Sequence, residues 1–238
     1  MPRLAVLLLC LLALPALGNE ATIRKALADK LDGARIEGVQ PAPMPGLWEV
    51  RYRTSDGVRI LYTDAAGTYV FQGRVIELAT ERDLTEERSR KLNAIRFESL
   101  PLDLAVKVKR GNGKRVLAMF SDPYCPACRN FENSLAQVDD VTIYVFMYPV
   151  IRPENADHSR AVWCSADRAK AWLELAVGPR PKVPEASPKC ANPVDKLLQA
   201  GRKLRVNSTP TLFLANGERV SGGLAPDDLS KLMDAAAR

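Results

Sequence analysis

A pair of cysteines between a buried strand and a helix limits the choice of fold of this 238-residue chain more than anything else in it. The pair lies in the segment SDPYCPACRNF, residues 121–131, where Pro126 and Ala127 separate Cys125 from Cys128. A nearly continuous apolar run over residues 115–120 comes before it, as in strands buried on both faces. Because helical spacing follows, the sequence predicts that Cys125 lies where a central strand ends and a helix begins.

This placement favours a redox role for the two thiols. Unpaired backbone N–H groups and the helix dipole at a helix N-terminus stabilise an anion, so a thiolate at Cys125 has a lowered pKa. The thiolate is the nucleophile of disulfide exchange. Cys128 lies one turn further on, where it can attack a mixed disulfide. We therefore expect Cys125 to be the attacking and Cys128 the resolving cysteine.

Two other roles for the pair are less well supported. A zinc site needs a second pair of ligands, but Cys164 and Cys190 lie far along the chain and neither is part of a C-x-x-C motif. A purely structural bridge between Cys125 and Cys128 would close a very short loop, which constrains the unfolded chain little. We expect no metal and no cofactor.

The first residues indicate export. MPRLAVLLLCLLALPALG, residues 1–18, has an early positive charge, an apolar run and small residues at its end, which predicts a signal peptide cleaved after Gly18. A membrane anchor is disfavoured because the run is shorter than the ~20 residues of a spanning helix. Cleavage removes Cys10 and leaves four cysteines in a compartment that permits disulfides.

Composition limits the kind of partner. The net charge is only +6, and no block of lysines and arginines is interleaved with aromatic residues. We therefore predict a soluble globular protein that does not bind nucleic acid.

Periodicity divides the rest of the chain into three parts. Residues 19–80 show a short amphipathic helix with Thr22 near its cap, followed by alternating segments typical of an antiparallel meander. Residues 81–100 are rich in charge and helix formers and predict a connecting helix, capped by Asp83 or Thr85. Residues 101–238 form the catalytic domain, which opens with two strands around the turn at Asn112–Gly113.

A second signal lies far downstream, in NSTPTLFLANG. A proline directly before an apolar strand cannot donate a hydrogen bond to a sheet. A cis peptide bond between Thr209 and Pro210 would leave a free backbone edge beside the thiol, and together with the cysteine pair this is the interpretation that we adopt.

The segments FSDPYCPACRNF, AVWCSADRAKAW and STPTLFLANGERVSGG resemble the DsbC/DsbG family of periplasmic thiol–disulfide isomerases, with a pattern closer to DsbC. The resemblance covers the whole mature chain. It implies an α+β cystatin-like N-terminal dimerisation domain, a linker helix, and an α/β thioredoxin-fold catalytic domain with a helical insertion. It also implies roles for particular residues: the catalytic pair Cys125 and Cys128, substrate binding by Thr209, Pro210, Pro126 and Ala127, and a structural disulfide between Cys164 and Cys190.

Some positions depart from this pattern. Pro126-Ala127 replaces the Gly-Tyr usual in DsbC, and its proline is similar to DsbG. Met119 occupies the position at which thioredoxin has a buried Asp. The single histidine, His158, is interpreted as an exposed residue at a helix start rather than a partner of the thiols.

The resulting hypothesis is a periplasmic disulfide isomerase that rearranges wrong disulfides in misfolded exported proteins. It implies a homodimer with an apolar cleft, kept reduced by a membrane reductant resembling DsbD. The alternatives are a DsbG-like reductase of oxidised single cysteines, a net oxidase, and a chaperone that binds clients in its cleft without catalysis.

Overall fold

The structure, a computed structural model, describes residues 16–177, 182–185 and 190–237. The predicted signal peptide, residues 1–18, lies outside these ranges except for its last three residues, which begin the first helix. The chain divides into two compact units, residues 1–89 and 90–238. Within the described ranges, no helix is both long and apolar enough to cross a membrane. The domain boundaries predicted at residues 80 and 100 stay a prediction.

The first unit contains a helix and a four-stranded antiparallel meander, in which consecutive strands are neighbours. Its elements are α1 (Ala16–Leu27), β1 (Arg35–Pro41), β2 (Trp48–Thr54), β3 (Gly57–Thr63) and β4 (Val70–Phe71). Ile23 and Leu27 of α1 are buried and share a core with Val50 and Leu61 of the sheet. The prediction that Thr22 lies near a helix cap was wrong, because α1 begins at Ala16 and Thr22 is inside it.

The connection begins with a short two-stranded sheet, β5 (Ile76–Glu77) and β6 (Arg82–Asp83), followed by helix α2 (Leu84–Leu92). Asp83 Oδ1 accepts a hydrogen bond from the Glu86 N–H at 2.8 Å, which is one of the two predicted caps. The other candidate, Thr85, has a different role, because its hydroxyl oxygen accepts a hydrogen bond from the Val75 N–H at 2.9 Å.

The second unit is a five-stranded mixed sheet with helices. Its strands are β7 (Val106–Lys109), β8 (Arg115–Ser121), β9 (Val141–Met147), β10 (Thr211–Leu214) and β11 (Arg219–Ser221), in the order β11-β10-β8-β9-β7. Its helices are α3 (Pro126–Leu135), α4 (Ala156–Trp163), α5 (Arg168–Ala176), α6 (Val194–Lys203) and α7 (Pro226–Ala236). The sequence interpretation missed α6.

The central strand of this sheet is β8, which is parallel to β9 and antiparallel to β10. Residues 117–121 of β8 are all buried, as the apolar run predicted, whereas β7 alternates between buried and exposed residues like an edge strand. Strand β9 therefore lies between β7 and β8, and the Asn112–Gly113 turn does not close a hairpin of paired strands. This topology places the end of β8, and the cysteine pair after it, at the middle of one sheet edge.

Candidate active site

The cysteine pair lies at the junction of β8 and α3. Cys125 has an extended backbone, with φ −78° and ψ 121°, and immediately precedes the helix. Pro126 takes the first helical position, where its missing N–H leaves no hydrogen bond unmade. Both sulfurs are free thiols. Cys125 is 6% and Cys128 2% exposed, so the resolving thiol is the more deeply buried of the two.

Thr209 and Pro210 come from a distant part of the chain to the same place. The Thr209–Pro210 peptide bond is cis, as predicted. The Cys125 thiol donates a hydrogen bond to the Thr209 carbonyl oxygen over 3.3 Å. Because β10 starts directly after Pro210 and pairs with β8, the sheet itself brings this carbonyl to the thiol.

The two thiols differ in acidity. Burial raises the pKa of Cys125, but interactions with Thr209 and with the backbone N–H groups of Cys128 and Ala127 lower it by more, so this pKa lies below its ordinary value. Burial raises the pKa of Cys128 to about 12, although Ser121 and the Asp122 backbone act in the opposite direction. At neutral pH the first cysteine is thus the better nucleophile and the second stays protonated.

Asp122 organises the loop that enters the site. Its fully buried carboxylate accepts a hydrogen bond from the Tyr124 N–H at 2.8 Å and from the Val150 and Ile151 N–H groups at 2.7 Å each. It thereby joins the segment before Cys125 to the segment after β9. The sequence interpretation assigned Asp122 no role, although a carboxylate directly after a buried strand was a usable signal.

Apolar side chains reach solvent on the segments that Asp122 joins. Val150 is 40% and Ile151 52% exposed, and Pro126 and Ala127 between the cysteines are exposed as well. Exposed apolar groups of this kind often mark interaction sites on a protein surface.

His158 contacts the loop that carries the nucleophile. Its Nδ1 is hydrogen-bonded to the hydroxyl of Tyr124, the residue before Cys125, and the two ring centres are 5.6 Å apart. His158 lies in the first turn of α4, as expected, but it is half-buried, so the prediction of an exposed side chain was wrong. No local pattern indicates this contact, because 33 residues separate Tyr124 from His158 (158 − 124 − 1).

The other two cysteines form a disulfide with each other. Cys164 caps the C-terminal end of α4 and is bonded to Cys190, so neither sulfur is available to Cys125 or Cys128. In the described ranges, no group of three or more His, Cys, Asp and Glu side chains could hold a metal ion.

Comparison with known families divides the chain in the same order as the sequence did. Residues 15–86 match the family described as the disulfide bond isomerase protein N-terminal domain. Residues 102–237 match the family described as a thioredoxin-like domain. The predicted architecture, an N-terminal domain followed by a thioredoxin-like domain, is thereby confirmed.

Similar proteins carry one common description. A probable thiol:disulfide interchange protein DsbC from Bordetella pertussis is 41% identical over 208 residues, which cover 87% of this chain and 71% of the relative. The thiol:disulfide interchange protein DsbC of Escherichia coli strain K12 is 25% identical over 92% of this chain and 89% of its own. The crystal structure of a disulfide interchange protein from Neisseria gonorrhoeae is 37% identical and covers 58% of this chain and 99% of that one, with a TM-score of 0.55.

Proposed function

Because this chain belongs to the DsbC family of thiol:disulfide interchange proteins, we propose that it rearranges wrong disulfides in exported proteins, with Cys125 as nucleophile and Cys128 as resolving thiol. The observation that carries the proposal is the unequal pair. The pKa of Cys125 is lowered and that of Cys128 is raised to about 12, while the Cys125 thiol lies at the Thr209 carbonyl oxygen.

The reaction starts with the Cys125 thiolate. It attacks one sulfur of a client disulfide, which forms a bond between Cys125 and the client and releases the other client sulfur as a thiolate. That thiolate can attack elsewhere in the client. When a client thiolate finally displaces Cys125, a rearranged disulfide is formed, the Cys125 thiolate returns, and no electrons are gained or lost.

A second outcome of the mixed disulfide consumes electrons from the protein. The Cys128 sulfur attacks Cys125, a Cys125–Cys128 disulfide forms, and the client leaves reduced by two electrons. The protein must then be reduced before it can act again. This requirement supports a DsbD-like membrane reductant as partner and the periplasm as location, together with the leader predicted over residues 1–18.

The experiment is the recovery of activity from a scrambled client with several disulfides, supplied with the pre-reduced protein and no other oxidant or reductant. Recovery that depends on Cys125 is expected, and Cys125→Ser should abolish it. A matched control is Cys128→Ser. This variant should keep the attack by Cys125 but release clients from the mixed disulfide more slowly. A Cys125→Ser protein with undiminished recovery would rule out the mechanism.

The same experiment separates the alternatives. No recovery, together with reactive thiols, would favour the reductase of oxidised single cysteines or the oxidase. Pro126 supports the DsbG-like reductase, because a proline at this position is similar to DsbG. Suppression of client aggregation that survives loss of both cysteines would instead identify chaperone binding as an additional activity.

A homodimer is part of the proposal. It is supported by the N-terminal family match and by a group of exposed apolar side chains in the first unit. These side chains, which we call the β4 patch, are Tyr69, Val70, Phe71, Ile76 and Leu78. Strand β4 also ends the sheet, so one of its backbone edges has no neighbouring strand among the described residues.

A further inference from the structure

Two buried hydroxyl groups beside the thiol pair make no hydrogen bond within the described part of the chain. They are Ser121 Oγ, on the last residue of β8, and Thr209 Oγ1, on the residue before the cis proline. Ser121 is 1% exposed. More than nine in ten buried polar groups in proteins have a partner, so two unpaired hydroxyls at one site require an explanation.

Both hydroxyls act on the Cys128 sulfur without bonding to it. Interaction with each of the two side chains lowers the pKa of Cys128, although neither hydroxyl makes a hydrogen bond within the described part of the chain. A third donor is already in place, because the Asp122 N–H points at the same sulfur over 3.5 Å. The surroundings of Cys128 therefore supply more donors than a protonated thiol uses.

The reaction creates the group that these donors fit. Cys128 must lose its proton to resolve a mixed disulfide, and a buried thiolate is costly unless hydrogen bonds stabilise it. The one ionised group that raises the pKa of Cys128 is the Cys125 thiolate. That charge is absent once Cys125 is bound in the mixed disulfide, so at the resolving step only burial opposes the ionisation and only the donors assist it.

We propose that the Ser121 hydroxyl donates the hydrogen bond that stabilises the Cys128 thiolate as it attacks the mixed disulfide, a role that rests on the proposed function. In this step the Cys128 sulfur bonds to Cys125, the bond between Cys125 and the client breaks, and the client sulfur leaves with the electron pair. The proton lost by Cys128 passes through solvent to the client thiolate. The pair is oxidised by two electrons, and the client is reduced by two.

This role gives Ser121 control over the lifetime of the mixed disulfide. Fast resolution returns a reduced client, whereas slow resolution leaves time for the client to rearrange. Ser121 is better suited to this task than Thr209, because it is the last residue of the central strand β8 and the backbone N–H of the next residue, Asp122, already donates to the Cys128 sulfur. Thr209, in contrast, is only partly buried, and in the proposed function it binds the client.

The test uses 5,5′-dithiobis(2-nitrobenzoate) as an equimolar small disulfide on the reduced, mature protein. Attack by Cys125 releases one coloured thiolate, and resolution by Cys128 releases a second, so one stopped-flow trace reports both steps. Loss of a hydrogen bond to a charged group corresponds to about a ten-fold change or more. Ser121→Ala should therefore slow the second release by about ten-fold at every pH below the pKa of Cys128, and leave the first release unchanged.

The chain offers a matched control in Ser159 of α4, whose buried hydroxyl also lacks a described partner. Ser159→Ala should change neither release. A purely structural Ser121 would lower stability when removed, but an unpartnered hydroxyl should leave the urea midpoint of Ser121→Ala unchanged or raised. If the alanine variant does not fold, Ser121→Thr and Ser121→Val form a pair of equal shape suited to a strand, of which only the first keeps a hydroxyl.

An unchanged second release in Ser121→Ala, or equal rates in the threonine and valine variants, would overturn the proposal. So would an equal slowing of both releases, since that would indicate general damage to the site. The outcome does not depend on isomerisation of a client. If the scrambled client is not recovered but Ser121→Ala slows the second release, only the proposed function is refuted. If the client is recovered but Ser121→Ala leaves the second release unchanged, only the role of Ser121 is refuted.

Discussion

Glu132 is a single residue whose ionisation opposes folding. It lies on α3 one turn beyond Cys128, is 2% exposed, and accepts a hydrogen bond from Trp172 Nε1 at 2.7 Å. Burial raises its pKa to about 7, although Trp172 and the positive charge of Arg110 lower it. The folded protein therefore holds a proton on Glu132 that the unfolded chain, with an ordinary value of 4.5, releases earlier.

This proton makes stability depend on pH. The contribution is fully present below about pH 4.5 and is lost as pH rises through the folded pKa of about 7, because only the folded state binds the proton in between. The loss amounts to about 3 kcal/mol in the free energy of unfolding. Glu132→Gln, which keeps a neutral acceptor for Trp172, should remove this dependence.

Urea denaturation from pH 4.5 to 8, at one protein concentration, measures the effect. The wild-type curve should fall relative to that of Glu132→Gln as pH rises. The control Glu98→Gln alters an exposed carboxylate and should run parallel to wild type. Parallel curves for wild type and Glu132→Gln would show that Glu132 does not hold the proton.

At the level of elements, one carboxylate joins two loops of the second unit. Asp122 holds the N–H groups of Tyr124, Val150 and Ile151, and so links the entrance of α3 to the exit of β9. Removing the acceptor leaves three partly buried hydrogen bonds without their acceptor. The sheet would keep its strands, but the loop that holds Cys125 would lose its anchor.

We predict that Asp122→Ala lowers the free energy of unfolding by about 3 kcal/mol and speeds amide exchange at Val150 and Ile151. Asp64 is the matched control. Its carboxylate accepts bonds from the N–H groups of Ala66, Thr68 and Tyr69 in an exposed turn, where water can replace it. Asp64→Ala should cost clearly less, and equal losses in the two variants would contradict the importance of burial at Asp122.

At the level of the whole molecule, the proposed dimer explains the β4 patch. Leu78 is 88% exposed and Val70 50%, although the sequence around them alternates like a half-buried strand. Within residues 68–78, only Val70–Phe71 and Ile76–Glu77 form strands. The described core of the first unit does not cover this segment. A second copy of the chain would supply the missing cover.

Val70→Lys should therefore shift the protein from dimer to monomer on dilution, since a charge is placed in an apolar contact. Light scattering after size-exclusion chromatography measures the mass directly. Val183→Lys is the control, because Val183 is 42% exposed but lies outside the β4 patch. A wild-type protein that is monomeric at every concentration would remove the dimer from the proposal.

Local patterns predicted those features that depend on neighbours in the chain. The strand–cysteine–helix junction, the Asp83 cap of α2 and the terminal helix all follow from spacing over a few residues. Two other features that depend on distant segments were missed. His158 was predicted to be exposed, because nothing near it in the sequence indicates its contact with Tyr124. The two strands on either side of the Asn112–Gly113 turn likewise contain no signal that β9 lies between them.

Local patterns along the chain were enough to predict the chemistry. They show two thiols three residues apart at a helix start, a proline before a strand, and the order of the domains. The acidity and hydrogen bonding of each group, in contrast, depend on the fold. The raised pKa values of Cys128 and Glu132, and the Ser121 hydroxyl without a described partner, arise from burial, and burial depends on which distant segments pack together.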